Sequence, residues 1–265
     1  MSCRLLGRRS TMRVMVAAAV MLGASAGVLA QGRAGARGGP PPTPQAAAPI
    51  DLTGYWVSLV TEDWRWRMVT PPKGDYASVP LNPEGRKVAD TWDPAKDEAA
   101  GNQCRAYGAA AVMRVPTRLH ITWENDNTLK VETDAGTQTR LFHFGMPQPP
   151  AGEAGWQGYS TAEWKTIAPP GRGRGPAPPP QGGSLEVITT HMKPGYLRKN
   201  GVPYSANAKV TEYFDRTMES DGNSYLIDTN IVEDPMYLQQ PFITSTHFKR
   251  EPDGSKWHPA PCESK

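Results

Sequence analysis

The sequence feature that most constrains the fold is a repeated alternation of apolar and polar residues along short segments. Residues 119–124 and 129–134 alternate in this way on either side of an Asn-Asp-Asn turn cluster, which predicts a β-hairpin. The pattern recurs, between Gly, Asn, Asp and Pro residues, at 54–60, 137–144, 159–166, 184–192, 208–217, 224–233 and 241–250. About eight to ten strands at this spacing predict a mainly β fold, either an antiparallel barrel or, as the alternative, a β-sandwich.

One segment has helical character instead. Asn82, Pro83 and Glu84 supply an N-cap residue, a proline for the first helical position and an acidic residue for the first turn. Apolar residues then recur at helical spacing as far as Trp92. We therefore expect one or two short helices between residues 82 and 113, packed over one end or face of the sheet.

The N-terminal residues have the order of a secretory signal peptide. Residues 1–13 are basic, residues 14–30 are small and apolar, and Val28 and Ala30 occupy the −3 and −1 positions before Gln31. A membrane anchor is the alternative, since the apolar run approaches spanning length. The cleavage pattern favours export, which predicts a periplasmic or secreted protein without a membrane span after cleavage.

Two cysteines would remain after removal of the segment that contains Cys3. Cys104 and Cys262 would then reach an oxidising compartment, where a disulfide between them is the expected outcome. A metal thiolate or a free nucleophile is the alternative, but neither cysteine lies in a C-x-x-C spacing.

Composition divides the rest of the chain. Residues 31–50 contain no aromatic residue and one branched apolar residue, which predicts a disordered linker. Residues 168–183 have a similar composition but lie between strand patterns, so they predict a flexible Pro/Gly/Arg loop. Residues 51–265 are thus expected to form a single β domain.

The distribution of charge argues against a nucleic-acid partner. The formal net charge is +3, but eight of the 29 basic residues lie in the three acid-free stretches 1–30, 31–50 and 168–183. The remaining 21 basic residues are outnumbered by 26 acidic ones. Proteins that bind DNA or RNA need a surplus of Lys and Arg to displace counterions, so this class is excluded.

Motifs of common catalytic and cofactor sites are missing from the sequence. It contains no G-x-S-x-G, no phosphate-binding P-loop, no dinucleotide glycine fingerprint and no H-E-x-x-H. The histidines are scattered without a pair at ligand spacing; they are His120, His143, His191, His247 and His258. No cofactor and no metal site are therefore predicted.

The stretch 61–67 (TEDWRWR) is the most unusual in the chain. On a strand, Trp64 and Trp66 would face one side and Arg65 the other. The two indoles could fill the barrel core, or they could form the wall of a ligand site in which an arginine binds a carboxylate or oxyanion. The sequence leaves both interpretations open.

Several strands place polar residues among apolar ones on the same face. Val210, Glu212 and Phe214 share one side of a strand with Arg216. Such a mixed face is typical of a barrel with a partly polar interior, which favours a cavity. Alternatively, Glu212 and Arg216 neutralise each other on a strand that faces solvent.

Two residue patterns resemble known families. Gly54-Tyr55-Trp56 in the first strand, with Arg250 near the last, resembles the G-x-W and late arginine of lipocalins. This resemblance implies a lipocalin-like barrel in which the arginine packs over the tryptophan at the closed end.

The chain after residue 50 also resembles a large family of exported bacterial proteins without an established activity. The residues that carry this resemblance are 80–86 (PLNPEGR), Trp164, 183–187 (GSLEV), 210–214 (VTEYF), 233–237 (EDPMY), Trp257 and Cys262. It implies export and a β-rich fold. The family commonly has histidine at the positions of Tyr159 and Tyr204, so histidine-based chemistry is not carried over.

These observations predict an exported protein whose barrel binds a small, partly apolar molecule. The candidate ligand-binding residues are Trp56, Trp64, Trp66, Arg65, Arg198, Glu212 and Tyr213. A cofactor-free isomerase, cyclase or hydrolase is the second hypothesis, with Glu212 or Asp228 as base and Tyr159, Tyr204 or His191 as acid. The third hypothesis is an envelope interaction module with a packed interior.

Overall fold

The computed structural model describes residues 40–146, 149, 152–166 and 182–265. The predicted signal peptide, the first part of the predicted linker and nearly all of the predicted loop at 168–183 lie outside these residues. None of the helices in the described part is long and apolar enough to cross a membrane.

Within the described ranges, nine strands close into a barrel and two form a separate hairpin. The strands are β1 (Gly54–Leu59), β2 (Arg118–Asn125), β3 (Thr128–Thr133), β4 (Gln138–Phe144), β5 (Tyr159–Thr166), β6 (Gly183–Thr190), β7 (Gly195–Arg198), β8 (Val202–Tyr204), β9 (Lys209–Met218), β10 (Ser224–Glu233) and β11 (Phe242–Glu251). The order around the barrel is β1-β11-β10-β9-β6-β5-β4-β3-β2, and β2 pairs with β1. Neighbouring strands are antiparallel except for the parallel pair β4 and β5.

The predicted barrel is confirmed, with strands close to the predicted bounds. The alternation along β10 shows why, since buried and half-buried residues alternate from Ser224 to Glu233. Every second side chain points into the barrel, so an apolar period of two specifies both the strand and its face. The hairpin of β7 and β8 was not predicted, because its residues are buried without alternation.

Three short α-helices and two 3-10 turns lie between β1 and β2. They are α1 (Trp64–Arg67), α2 (Pro83–Asp90), α3 (Pro94–Ala99) and the turns Gln103–Tyr107 and Val112–Arg114. The predicted N-cap of α2 is confirmed, because the Asn82 side chain accepts a hydrogen bond from the Gly85 amide at 2.8 Å.

The expected strand at residues 61–67 is wrong, since this stretch contains α1. The amides of Trp66 and Arg67 both donate to the Asp63 carbonyl, which begins the helix. Arg67 is buried and its Nε donates to the Arg114 carbonyl at 2.9 Å. Alternation over seven residues is too short to distinguish helix from strand, and these tertiary contacts decide it.

One end of the barrel is capped. The helices, the two 3-10 turns and the β7–β8 hairpin all connect strands at this end, since they follow the last residues of β1 and β6. Leu81, Leu197 and Val202 from the cap pack with Val210 and Val232 from the barrel in one buried apolar cluster. The cap therefore shares a core with the barrel.

Side chains fill the barrel interior, which corrects the expectation of a hollow. Trp56, Phe142, Phe214 and Phe248 are each almost fully buried and belong to one apolar cluster. Val112 in the 3-10 turn packs against the same cluster from the capped end. Large rings from four strands meet at the barrel axis and occupy the space that a ligand would need.

Part of the predicted linker contacts the barrel. The indole Nε1 of Trp164 donates to the Pro44 carbonyl at 2.9 Å, and Ile50 packs against the interior cluster. Residues 42–50 therefore belong to the same compact unit as the barrel, which differs from the predicted disorder. The half-buried indole N–H of Trp164 needs an acceptor, and the linker backbone supplies one.

The predicted disulfide joins Cys104 to Cys262, 158 residues apart. It connects the start of the first 3-10 turn to the C-terminal tail. The tail also contacts the β3–β4 turn, because the Ala260 amide donates to the Asp134 carbonyl at 2.8 Å. The disulfide therefore holds the tail beside the cap.

The arginine implied by the lipocalin resemblance lies over the predicted tryptophan. The guanidinium carbon of Arg250 is 5.7 Å from the centre of the Trp56 ring. These residues are directly paired across β11 and β1. Gly54 is required beside them, since a side chain at this position, where φ is +116°, would meet the Arg250 guanidinium.

Candidate functional site

Polar side chains meet inside the barrel, in a group that we call the interior polar cluster. Its members are Arg140, Ser160, Thr189, Glu212, Asp228 and Thr246, all buried. Nη1 and Nη2 of Arg140 donate to the two carboxylate oxygens of Glu212 at 2.7 and 2.5 Å. Thr189 accepts from Arg140 at 3.3 Å and is 2.7 Å from the Ser160 hydroxyl. The pair is thus bidentate and sealed from solvent.

Asp228 is the second carboxyl group of the interior polar cluster. Burial raises its pKa well above the ordinary value, the charge of Glu212 raises it further, and Arg140 opposes this only in part. One arginine cannot balance two buried carboxylates, so Asp228 holds a proton when Glu212 is ionised. Thr246 donates to its Oδ2 at 3.4 Å, and Oδ1 has no partner among the described residues.

The protonated Asp228 makes stability depend on pH. The unfolded chain releases this proton near pH 4, whereas the folded chain keeps it, so the free energy of unfolding falls as pH rises above about 4. The decline from this group is about 1.4 kcal/mol per pH unit until the folded-state pKa is reached. Asp228→Asn removes this decline, so the variant should have a higher free energy of unfolding than the wild type at pH 7.

Urea unfolding at several pH values measures this effect. The stabilisation by Asp228→Asn should grow from about pH 4 upwards, because the amide mimics the protonated acid. Glu98→Gln, an equivalent change at an exposed position of α3, should leave the pH dependence as it is. An Asp228→Asn variant with the wild-type pH profile would show that Asp228 is ionised in the fold.

The structure does not bring the predicted acids and bases together. Glu212 and Asp228 lie in the sealed interior. The Tyr159 hydroxyl donates to the Met146 carbonyl at 3.1 Å, and the exposed His191 ring contacts the Gly152 carbonyl at 3.2 Å. The Tyr204 hydroxyl is buried in the cap without a partner among the described residues, and burial raises its pKa. No described hydrogen bond connects these acids to the carboxyl groups.

The structure separates most of the predicted ligand-binding residues. Trp56 lies inside the barrel, whereas 64% of Trp64 is exposed on α1. Arg65 is also exposed and pairs with Asp75 at 2.7 Å. Tyr213 points outwards from β9 and hydrogen bonds to a neighbouring strand's carboxylate. Glu212 belongs to the interior polar cluster, so the expected common wall of three tryptophans does not exist.

Two of the predicted residues, Trp66 and Arg198, do come together. The guanidinium carbon of Arg198 lies 4.9 Å from the centre of the Trp66 ring. Helix α1 positions the indole, and β7 positions the arginine at the other side of the cap. This contact has the geometry of a cation–π interaction.

Trp66 and Arg198 border a cleft of about 300 Å³ at the capped end of the barrel, which we call the Trp66 cleft. Its wall is mixed, and the lining includes Trp66, Val69, Tyr107, Arg114, Val115 and Arg198. The disulfide-linked tail closes one side, where Ala260 and Glu263 reach the cleft. Segments that are distant in the sequence thus build one concave surface.

The cleft is rich in positive charge. Arg114 lies in the second 3-10 turn, is buried, and its Nη2 donates to Asp63 at 2.8 Å. Arg67 is buried beside it and pairs with Glu62. Burial lowers the pKa of Arg198 to about 10, and the neighbouring charge of Arg114 contributes to this shift. Arg198 therefore remains charged at neutral pH in a site where its charge is costly.

Two important arginines were not predicted, although the sequence contains a signal for both. Arg114 interrupts the apolar run 109–115, and Arg140 shares its strand face with Phe142 and Phe144. An arginine on an otherwise apolar face has to find a buried partner. Arg140 finds Glu212, and Arg114 finds Asp63.

Comparison with protein-family models and with curated protein sequences finds no match. The described residues also contain no group of three His, Cys, Asp or Glu side chains arranged to hold a metal ion.

Proposed function

We propose that this protein is exported and binds a small, partly apolar molecule in the Trp66 cleft. The observation that carries this proposal is the pairing of an aromatic ring and a buried arginine at the edge of a concave surface. Apolar walls with a few convergent polar groups are typical of small-molecule sites.

The dimensions and lining of the cleft support a small ligand. Its volume of about 300 Å³ lies at the lower end of the range for ligand pockets. Val69, Val115 and Leu197 supply apolar surface, and Tyr107 adds a second ring. A ligand with one apolar part and one polar group would match this wall.

Two features support export to the periplasm or the cell exterior. Residues 1–30 have the pattern of a signal peptide. The Cys104–Cys262 disulfide is a bond that persists in oxidising compartments. The same disulfide holds the tail that borders the cleft, so an oxidising compartment would keep this side of the cleft in place.

The proposal keeps the predicted ligand class but moves the site out of the barrel. Aromatic rings and the interior polar cluster occupy the barrel axis. The acid–base hypothesis loses its support for the same reason, because Glu212 and Asp228 are sealed from any substrate. The Trp66 cleft, by contrast, is open to solvent.

Replacing Trp66 tests the proposal, and Trp64 offers a matched control on the same helix. Loss of the ring should weaken binding roughly tenfold, since an aromatic wall contributes on the order of 1–2 kcal/mol. Native mass spectrometry of protein isolated from its own periplasm should show a small-molecule adduct in the wild type and in Trp64→Ala. The adduct should be lost or depleted in Trp66→Ala.

An interaction module is the second candidate, favoured by exposed apolar residues beside the cleft. Trp64, Met68 and Val69 are each more than half exposed. If adducts are missing under several growth conditions and Trp64→Ala rather than Trp66→Ala abolishes function in the cell, the small-molecule proposal is wrong. A protein partner on the outer face of α1 would then explain the result.

A further inference from the structure

Arg198 differs from the other cationic residues around the Trp66 cleft. Among the described residues, each of the others has a carboxylate within 4 Å: the pairs are Arg65–Asp75, Arg67–Glu62, Arg114–Asp63 and Lys199–Glu263. Arg198 has none, although only 4% of it is exposed. A buried charge without a counterion is unfavourable, so this position calls for an anion that the described protein does not supply.

The free hydrogen-bond donors of Arg198 lie on one edge of its guanidinium. Nη1 donates to the Ala77 carbonyl at 2.7 Å. Nε and Nη2 are buried and have no partner among the described residues. These two N–H groups point in parallel from one side of the planar group, and this is the fork that binds the two oxygens of a carboxylate.

The neighbouring groups in the described part of the chain leave this fork without a hydrogen-bond acceptor. Trp66 covers the face of the guanidinium rather than its edge, since the ring centre is 4.9 Å from Cζ. The charges of Asp63 and Asp75 favour the charged form of Arg198. However, Asp63 accepts a hydrogen bond from Arg114, and Asp75 accepts one from Arg65. Neither carboxylate bonds to Arg198, so no carboxylate of the described residues satisfies the fork.

We propose that the ligand of the Trp66 cleft is an organic carboxylate, bound side-on by Nε and Nη2 of Arg198. This inference rests on the proposed function and specifies its ligand class. The Trp66 ring and the apolar wall at Val69, Val115 and Leu197 would contact the hydrocarbon part. The carboxylate would supply the missing counterion and satisfy two buried donors at once.

Acetate, the smallest carboxylate with a methyl group, is the probe for a direct test. In the full-length exported protein, the Nε–H resonance of Arg198 is followed by ¹⁵N NMR and assigned by its loss in Arg198→Met. Acetate should shift this resonance in a saturable way. Acetamide, which has the same shape without the charge, should not shift it, and inorganic phosphate should act more weakly than acetate.

Two variants separate the role of the fork from that of charge. Arg198→Lys keeps a positive charge but lacks the planar donor pair, so acetate should bind roughly tenfold more weakly, as followed at the indole N–H resonance of Trp66, which is present in every variant. Arg65→Met is the matched control, because Arg65 stacks on the same Trp66 ring at 5.3 Å but is exposed and paired. Acetate affinity should be unchanged in Arg65→Met. The conservative Lys variant keeps the test valid if Arg198→Met does not fold.

Several outcomes would overturn the inference. They are the absence of a saturable acetate shift, an equal response to acetamide, a stronger response to phosphate, or an unchanged affinity in Arg198→Lys. A periplasmic adduct that depends on Trp66 but not on Arg198 would reject the carboxylate and leave the proposed function standing. An adduct that depends on neither Trp66 nor Arg198 would reject the proposed function as well.

Discussion

Replacing Glu212 with glutamine is expected to lower the free energy of unfolding by about 3–5 kcal/mol. Glutamine preserves the shape of the side chain but removes the charge that balances Arg140. Both residues are fully buried, and both Arg140 Nη atoms donate to the carboxylate. The variant therefore leaves a guanidinium in the barrel interior, where Asp228 would have to give up its proton to replace the counterion.

Urea unfolding at neutral pH measures this loss, and two further variants define its origin. Glu186→Gln removes a carboxylate from the strand beside β9, where Lys165 is its partner near the surface at 3.3 Å, and should cost less than about 1 kcal/mol. Arg140→Met combined with Glu212→Leu removes both charges and should restore stability close to that of the wild type. If Glu212→Gln is as mild as Glu186→Gln, the pair is not sealed.

Removing the disulfide by Cys104→Ser with Cys262→Ser is expected to cost up to about 5 kcal/mol of unfolding free energy. The bond closes a loop with a sequence separation of 158 residues, and a long loop gives the unfolded chain much entropy to regain. The effect should also be local. Without the bond, few contacts such as Ala260 to Asp134 hold the tail that borders the Trp66 cleft.

Two measurements separate the global effect from the local one. Urea unfolding gives the change in stability, and hydrogen exchange reports on the backbone at residues 257–265. The wild type with a reducing agent should behave as the double variant does, and the double variant itself should not respond to that agent. Unchanged protection of the tail in the variant would show that its hydrogen bonds suffice.

The strands could be predicted because their signal is local. Along β9 and β11 the side chains that enter the barrel recur every second position, and the turns between strands carry Asn, Asp, Gly or Pro. Helix α2 was predictable for a similar reason, since Asn82 and Pro83 mark its first turn within a few residues. Such signals can be recognised without knowledge of the rest of the fold.

The interior could be predicted only in part. The mixed face of β9, with Glu212 between Val210 and Phe214, allowed either an interior or a solvent-facing position, and the structure places it in the interior. It was interpreted as a sign of a cavity, because the sequence does not show which side chains meet across a barrel. Arg140 comes from β4, and its pairing with Glu212 fills the space that a ligand was expected to occupy.

The Trp66 cleft could likewise be predicted only in part. Trp66 and Arg198 were both candidates, but 61–67 was expected to be a strand, and the two residues were joined by no sequence pattern. Their contact depends on the short helix α1, which forms because Arg67 donates to a carbonyl 47 residues away. The Nε–Nη2 edge of Arg198 is unpaired because Asp63 and Asp75 bind other arginines.

The sequence by itself determined a mainly β fold, its strands, helix α2 and the pairing of Cys104 with Cys262, because period-two burial, turn residues and two remaining cysteines are local or counted features. Closure into a barrel rather than a sandwich was left to the tertiary structure. Only the tertiary structure decided that the barrel is filled, that the three tryptophans lie apart, and that Arg198 faces a cleft without a counterion. These properties depend on which distant side chains share a volume, and a single strand's pattern holds no information about the volume on the other side of the barrel.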